Sequence, residues 1–525
     1  MVPGRGTIAA LVLSMTVVVG CSGSTDDESA PATTTAQLPP NQVAAVDIPA
    51  DAVDKAVGRI DELAGSLMDS TRIPGMAVAV VHGGKTVYAK GFGVREAGRG
   101  EQVDADTVFQ LASVSKSVAA TVVAHEVGAG TLEWETPVVS KLPSFALADP
   151  ATTAQLTVGD LFAHRSGLPD HAGDRLEDIG YDRAAILEKL RLEPLDPFRI
   201  TYHYTNFGLT AGAEAVAAAA GVPWDRLSAD ALYTPLGMSA TSSRFDEYQA
   251  RPNRAVGHMN IDGAWVAKAV RDADAQSPAG GVSSSVNDMA RWLAMLLGNG
   301  TANGTTIAPP EALLPAITPQ VISSPATAPE SRAGNYGFGF NASVSSSGRT
   351  TYSHSGGFAL GAATNFLVIP SADVAIIALT NAAPIGAAEA LTAEFADLVQ
   401  YGEIREDWRG IYRSVLAPIN DPEGDLAGKQ PPANPAAARP LTSYTGVYAN
   451  AYWGPATISE AEGALVLTLG PEQRRYPLRH WDGDTFAFDL FGENAPPGTV
   501  SSARFEGDRL VLNYFDEDGL GTFTR

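Results

Sequence analysis

Cysteine is nearly absent from this chain: Cys21 is the only one among 525 residues, so no internal disulfide can form. Positive charge is scarce as well. Lys and Arg number 36 against 59 Asp and Glu, a formal net charge of −23, and no basic stripe relieves it, which excludes the electrostatic footprint of a nucleic-acid binder. His and acidic residues do not cluster at metal-ligand spacing, so neither a metal nor another cofactor is expected. The apolar run at residues 8–19 is too brief for a comfortable membrane span. What is present is the composition of an ordinary globular protein, 45% hydrophobic and 18% charged, with length for two or three domains and ample core.

Residues 1–20 combine a positive start at Arg5 with that short apolar segment, the pattern of an export signal. The segment ends Val18-Val19-Gly20-Cys21, which resembles the bacterial lipobox, where the cysteine is lipidated and becomes the new N-terminus. The expectation is an exported lipoprotein, held through Cys21 on the extracytoplasmic face of a bacterial envelope membrane. Residues 21–51, rich in Ser, Thr, Ala and Pro, read as a disordered tether.

Folded structure is expected from residue 52, where Val53, Val57, Ile60, Leu63 and Leu67 recur at helical spacing. Residues 76–81 and 86–94 read as a hairpin turned at His82-Gly83-Gly84-Lys85. Thr157 and Asp160 are placed as a capping box, and His164 beyond them is read as bonding the backbone of its own turn. An alanine-rich helix over 207–220 stops at Gly221, and Ser285 with Asp288 makes a second capping box before a helix over 289–297. Residues 302–333 read as loop with short helical pieces, residues 363–369 and 374–379 as apolar strands, and 387–399 as a helix. These strands make one antiparallel sheet with helices covering it. Residues 416–440, rich in Pro and Ala, read as a linker to a small all-β module.

Three stretches carry chemistry. Ser113 and Lys116 stand three apart at the start of an apolar helix, which puts both on one face. A serine hydroxyl needs a base, and a lysine amine serves once burial favours its neutral form; N–H groups at the helix start favour negative charge developing beside the serine. In Tyr202-His203-Tyr204-Thr205-Asn206, Tyr204 presents a phenol and Asn206 an amide to a cleft, or Asn206 merely caps the next helix. The third stretch, His354-Ser355-Gly356-Gly357, precedes the apolar strands.

In this order the three motifs resemble the serine β-lactamase and penicillin-binding protein superfamily over residues 52–399. The likeness is closest to the class C β-lactamases and to the D-Ala-D-Ala carboxypeptidases, D-aminopeptidases and esterases of that branch. The resemblance implies an α+β fold, an antiparallel sheet flanked by helices with an all-helical subdomain. The hydrolase domain would cover 52–415 and the linker 416–440. A small lipocalin-like β domain over 441–525 is suggested by Tyr444-Thr445-Gly446-Val447-Tyr448 and Gly521-Thr522-Phe523; in such proteins it borders the active site or mediates assembly.

The same resemblance implies an acyl-enzyme on Ser113, with Lys116 and Tyr204 sharing proton transfer and either of them the base. Asn206 would hold Lys116 or a substrate amide, His354, Ser355 and Gly356 would bind substrate, and the N–H groups of Ser113 and Gly357 would form the oxyanion hole. The substrate would be a small molecule or peptide cut at a peptide, amide or ester bond. Class C β-lactamases begin the third motif with lysine where this chain has His354, whose charge depends on pH, so β-lactam hydrolysis is expected to be weak. No Gly-x-Ser-x-Gly elbow is present, which counts against an α/β-hydrolase arrangement. The alternative from another class is a peptidoglycan- or peptide-binding lipoprotein without turnover; the intact Lys116 and Tyr204 stand against it, because a binder needs no base.

Overall fold

The structure is a computed structural model in which residues 38–525 are described; the segment read as an export signal and Cys21 lie outside the described residues. Strands β1 (Gly75–His82) and β2 (Lys85–Gly93) form the expected hairpin, turned by Gly83 and Gly84 at φ 58° and 69°, the left-handed pair that a tight two-residue turn requires. β1 is apolar along its length because both of its faces are covered. Ala77, Ala79 and Val81 enter one core, while Val78 and Val80 enter another.

Strands β3 (Val321–Ser324), β4 (Gly334–Tyr336), β5 (Asn341–Val344), β6 (Thr350–Phe358), β7 (Ala362–Ile369) and β8 (Val374–Thr380) complete an eight-stranded antiparallel sheet in the order β2-β1-β8-β7-β6-β5-β4-β3. Five long helices matter for the site: α1 (Ile60–Thr71), α2 (Val114–Gly128), α3 (Asn206–Ala220), α4 (Val286–Leu297) and α5 (Ala387–Tyr401). Leu63 of α1 and Leu391 and Phe395 of α5 pack on one face of the sheet. Val118 of α2 and Met289 and Leu293 of α4 pack on the other, each such burial contributing about 1.5–3 kcal/mol. Caught between sheet and helices, α2 is buried almost all round, so its mixed apolar surface has no single stripe.

Strand β3 corrects the reading of residues 302–333 as loop. Its four residues, Val-Ile-Ser-Ser, lie at the sheet edge, too short and too polar for a periodic signal. The capping box at Thr157 and Asp160 is complete, whereas at Ser285 only one arm forms: the Asp288 carboxylate turns instead to the Ala240 N–H and the Thr241 hydroxyl.

The second sheet is a meander of eight antiparallel strands. In order they are Gly446–Tyr448, Ala456–Ala461, Ala464–Leu469, Arg474–Asp482, Thr485–Asp489, Val500–Glu506, Arg509–Leu512 and Thr522–Thr524 (β9 to β16). A bridge between Ala449 and Thr524 brings first and last together, and the sheet nearly closes into a barrel. Residues 416–440 are not a free linker. Asp425 accepts the Ser502 N–H at 2.9 Å and its hydroxyl at 2.7 Å, and Leu426 is buried. Such docking by single side chains leaves no period in a Pro- and Ala-rich sequence. Among the described residues no helix is long and apolar enough to cross a membrane.

Candidate active site

Ser113 is set in place by a strained turn. The two-residue strand Phe109–Gln110 pairs with Ser283–Ser284, and the chain then reverses at Ala112, whose φ of 48° is left-handed and costs an alanine about 1 kcal/mol. The turn is held because the Leu111 N–H donates to the Val282 carbonyl (2.8 Å) and the Leu111 carbonyl accepts the Thr364 hydroxyl (2.7 Å). Ser113 therefore becomes the N-cap of α2, yet its hydroxyl makes no capping bond and its N–H is spent on no backbone carbonyl. Both stay available for chemistry.

One turn on, Lys116 is fully buried, with Nζ 3.0 Å from Ser113 Oγ, 2.6 Å from Asn206 Oδ1 and 3.0 Å from the Ala279 carbonyl. Burial lowers its pKa to about 7, against the opposing pull of Asp174. A neutral amine has two N–H bonds and one lone pair. The two carbonyl oxygens can only accept, so the lone pair is left facing the one partner that can donate, the Ser113 hydroxyl.

The second motif lies across from this pair. The Tyr204 ring centroid is 4.5 Å from Lys116 Nζ, and burial holds the phenol well above its ordinary pKa, with the Ser113 hydroxyl pulling the other way. Its loop is pinned by His164, which corrects the reading of that histidine: Nδ1 accepts the Thr205 N–H at 3.1 Å, in the distant second motif rather than in its own turn. Burial, followed by the positive charge of Lys116, keeps His164 neutral. Asn206 is the first residue of α3 rather than its cap, and its amide relays Lys116 to Asp174, whose Oδ2 accepts Asn206 Nδ2 at 2.7 Å and His171 Nδ1 at 2.8 Å. His171 and Asp174 went unnoticed in the sequence; the i, i+3 spacing of a histidine and a carboxylate was the available signal.

The third motif runs along β6. Thr350 and Thr351 pair with β5 alone and Tyr352 and Ser353 with both neighbours, but from His354 to Phe358 the strand pairs only with β7, which leaves one edge open. Gly356 is the point of closest approach: a Cβ there would lie 2.2 Å from the Leu111 carbonyl and 2.9 Å from the Ser113 nitrogen. Ser355, Gly356 and Gly357 line the cavity at the serine. His354 does not, and its expected place on the substrate side is corrected. Nδ1 donates to the Ser355 carbonyl (2.6 Å), so Nε2 is bare and accepts the Tyr336 hydroxyl (2.7 Å). Burial, then the charge of Lys116, lowers its pKa to about 3, so it is a neutral strut. The alternation of a strand was the missed signal, since His354 and Ser355 must face opposite ways.

The cavity, about 480 Å³, is walled on one side by Ser113, Tyr204 and β6, and on the other by the second sheet, through Trp453, Glu493, Asn494 and Phe515. Glu493 Oε1 accepts the Ala359 N–H at 2.8 Å and Oε2 the Leu360 N–H at 3.2 Å, at the tip of the β6–β7 hairpin. The β module thus borders the site.

Comparison with known proteins bears on the fold and the family. The family model described as Beta-lactamase matches residues 60–401, and one described as a domain of unknown function (DUF3471) matches 430–508. Penicillin-binding protein 4 of Amycolatopsis lactamdurans is 31% identical over 388 residues, which cover 72% of this chain and 92% of that protein. An unguisins hydrolase of Aspergillus campestris is 26% identical over 416 residues, 75% of each chain. The octameric penicillin-binding protein homologue from Pyrococcus abyssi superposes with a TM-score of 0.57 at 18% identity, covering 87% of this chain and 98% of its own, a likeness of fold. The chain belongs to the Beta-lactamase family, within the superfamily of serine β-lactamases and penicillin-binding proteins.

Proposed function

We propose that this protein is a serine hydrolase that cuts a peptide, amide or ester bond through an acyl-enzyme on Ser113. The observation that carries the reading is the Lys116 amine, buried, depressed to about 7 and with its lone pair directed at Ser113 Oγ 3.0 Å away. Lys116 takes the hydroxyl proton as Oγ adds to the substrate carbonyl, and the oxyanion meets the free N–H of Ser113 and that of Gly357. The Tyr204 phenol, kept protonated by burial, passes its proton to the leaving group as the tetrahedral adduct collapses and is resupplied by the proton that Lys116 took from Ser113. Water then releases the acid by the reverse path. The open edge of β6 from His354 to Phe358 offers an extended substrate a backbone to pair with.

The test is intact-mass spectrometry after exposure to a fluorophosphonate. The wild type is expected to gain one adduct and Ser113→Ala none; an adduct that persists on Ser113→Ala removes Ser113 as the nucleophile.

A further inference from the structure

The cavity's charges are unevenly matched. Arg175 is paired with Glu423 (3.1 Å) and Glu517 (2.8 Å), Arg271 with Glu177, and His171 with Asp174. Lys116 lies behind the serine, and His354 is neutral and turned inward. Each cation that lines this wall therefore already faces a carboxylate, although Arg271 Nε keeps a buried N–H without an acceptor. The carboxylates are less fully matched. Glu389, Glu193 and Asp174 all line the cavity, and each buries one oxygen that has no donor.

Of the three, Asp174 already receives His171 and Asn206 on its other oxygen, and Glu193 sits on the far wall beside Tyr452 of the β module. Glu389 is beside the reacting strand. It is the third residue of α5, 4% exposed, and its carboxylate faces the hydroxyl of Ser355. That hydroxyl accepts Asn365 Nδ2 at 2.8 Å, and Asn365 is in turn fixed by the Thr392 hydroxyl at 2.6 Å, so the wall is rigid. Pro384, Leu416 and Ile419, which also line the cavity, carry no side-chain donor, and the Tyr412 phenol is the other polar group close to Glu389, whose buried oxygen it leaves without a hydrogen bond. A buried carboxylate oxygen without a partner is unfavourable until a donor reaches it, and a substrate anion placed there would meet a carboxylate and no free cation. Burial raises the Glu389 carboxyl to about 7, the direction expected of an acid that lacks its counter-charge.

We propose that Glu389 receives a protonated amine of the substrate beside Ser355, so that the enzyme selects cationic, amine-bearing acyl donors and rejects those presenting a carboxylate there. This inference rests on the hydrolase reading above.

The experiment compares kcat/KM of the full-length protein for three sets of p-nitroanilides with acyl chains of two to six carbons, ending in an ammonium, a methyl or a carboxylate. At one or more lengths the ammonium substrate is expected to exceed its methyl isostere by about tenfold or more, and Glu389→Gln to bring that ratio down to about threefold or less. Glu389→Asp, which keeps the charge, is expected to restore part of the ratio. Absence of an ammonium preference at every length in the wild type overturns the proposal, whether or not the variants fold, as does a preference that survives in Glu389→Gln. Turnover of the methyl set without ammonium preference sinks this inference alone. Failure of all three sets, with no fluorophosphonate adduct, sinks the hydrolase reading and this inference with it.

Discussion

Lys116 decides at which pH the site can work. Below about 7 its third N–H occupies the lone pair that must face Ser113, so kcat/KM for an uncharged ester is expected to fall about tenfold per unit on the acid side of a midpoint near 7. Asp174 opposes the depression, so Asp174→Asn is expected to move that midpoint lower still. A midpoint that stays in place would assign the limb to another group. Ser113, Lys116, Tyr204 and Asn206 were legible in the sequence because their chemistry is carried by residue type at short spacing. Asp174 was not, since its link to Lys116 passes through Asn206 and exists only once α3 is folded against the loop. His354 faces away from the cavity because its parity in the strand is opposite to that of Ser355, a constraint that residue type alone does not carry.

At the scale of elements, the site is a junction of the strained Ala112 turn, the start of α2 and the open half of β6. Gly356 holds that junction closed. Gly356→Ala would put a methyl 2.2 Å from the Leu111 carbonyl and 2.4 Å from Thr364 Oγ1, both fixed by hydrogen bonding to each other, so the strand must retreat from the serine. Loss of about 100-fold in kcat/KM is expected, with circular dichroism unchanged, because a displacement of about 1 Å has that effect on positioned groups. Gly357→Ala is the control. Its methyl meets only the Pro384 ring, at 2.7 Å, and retains the backbone N–H, so a smaller loss is expected; equal losses would point to the strand's flexibility instead of its clearance. The long strands β1, β7 and β8 were readable because burial on both faces writes a near-continuous apolar run into each. Strand β3 and the strand Arg474–Asp482 were not, the latter because its residues are mostly exposed and polar, with Leu478 alone well buried.

For the molecule as a whole, the question is whether the β module is a passive wall or part of the machinery. The loop between β13 and β14 carries Glu493 onto the two N–H groups at the hairpin tip just beyond Gly357, while Asn494 Nδ2 donates to Asp178 at 3.0 Å. One carboxylate therefore ties the second sheet to the strand that would receive substrate. Glu493→Ala leaves the Ala359 and Leu360 N–H groups without an acceptor and removes a charge facing Arg271, at about 1–3 kcal/mol for the lost bonds. If the tie positions the strand, kcat/KM is expected to drop about tenfold or more. Glu517→Ala tests the same wall without touching the hairpin: that side chain is 71% exposed and pairs only with Arg175, so its removal is expected to cost about 1 kcal/mol or less. A wild-type kcat/KM in Glu493→Ala would reduce the β module to a screen that excludes solvent, whereas a loss confined to Glu493→Ala would mean that the second sheet holds the catalytic strand in register.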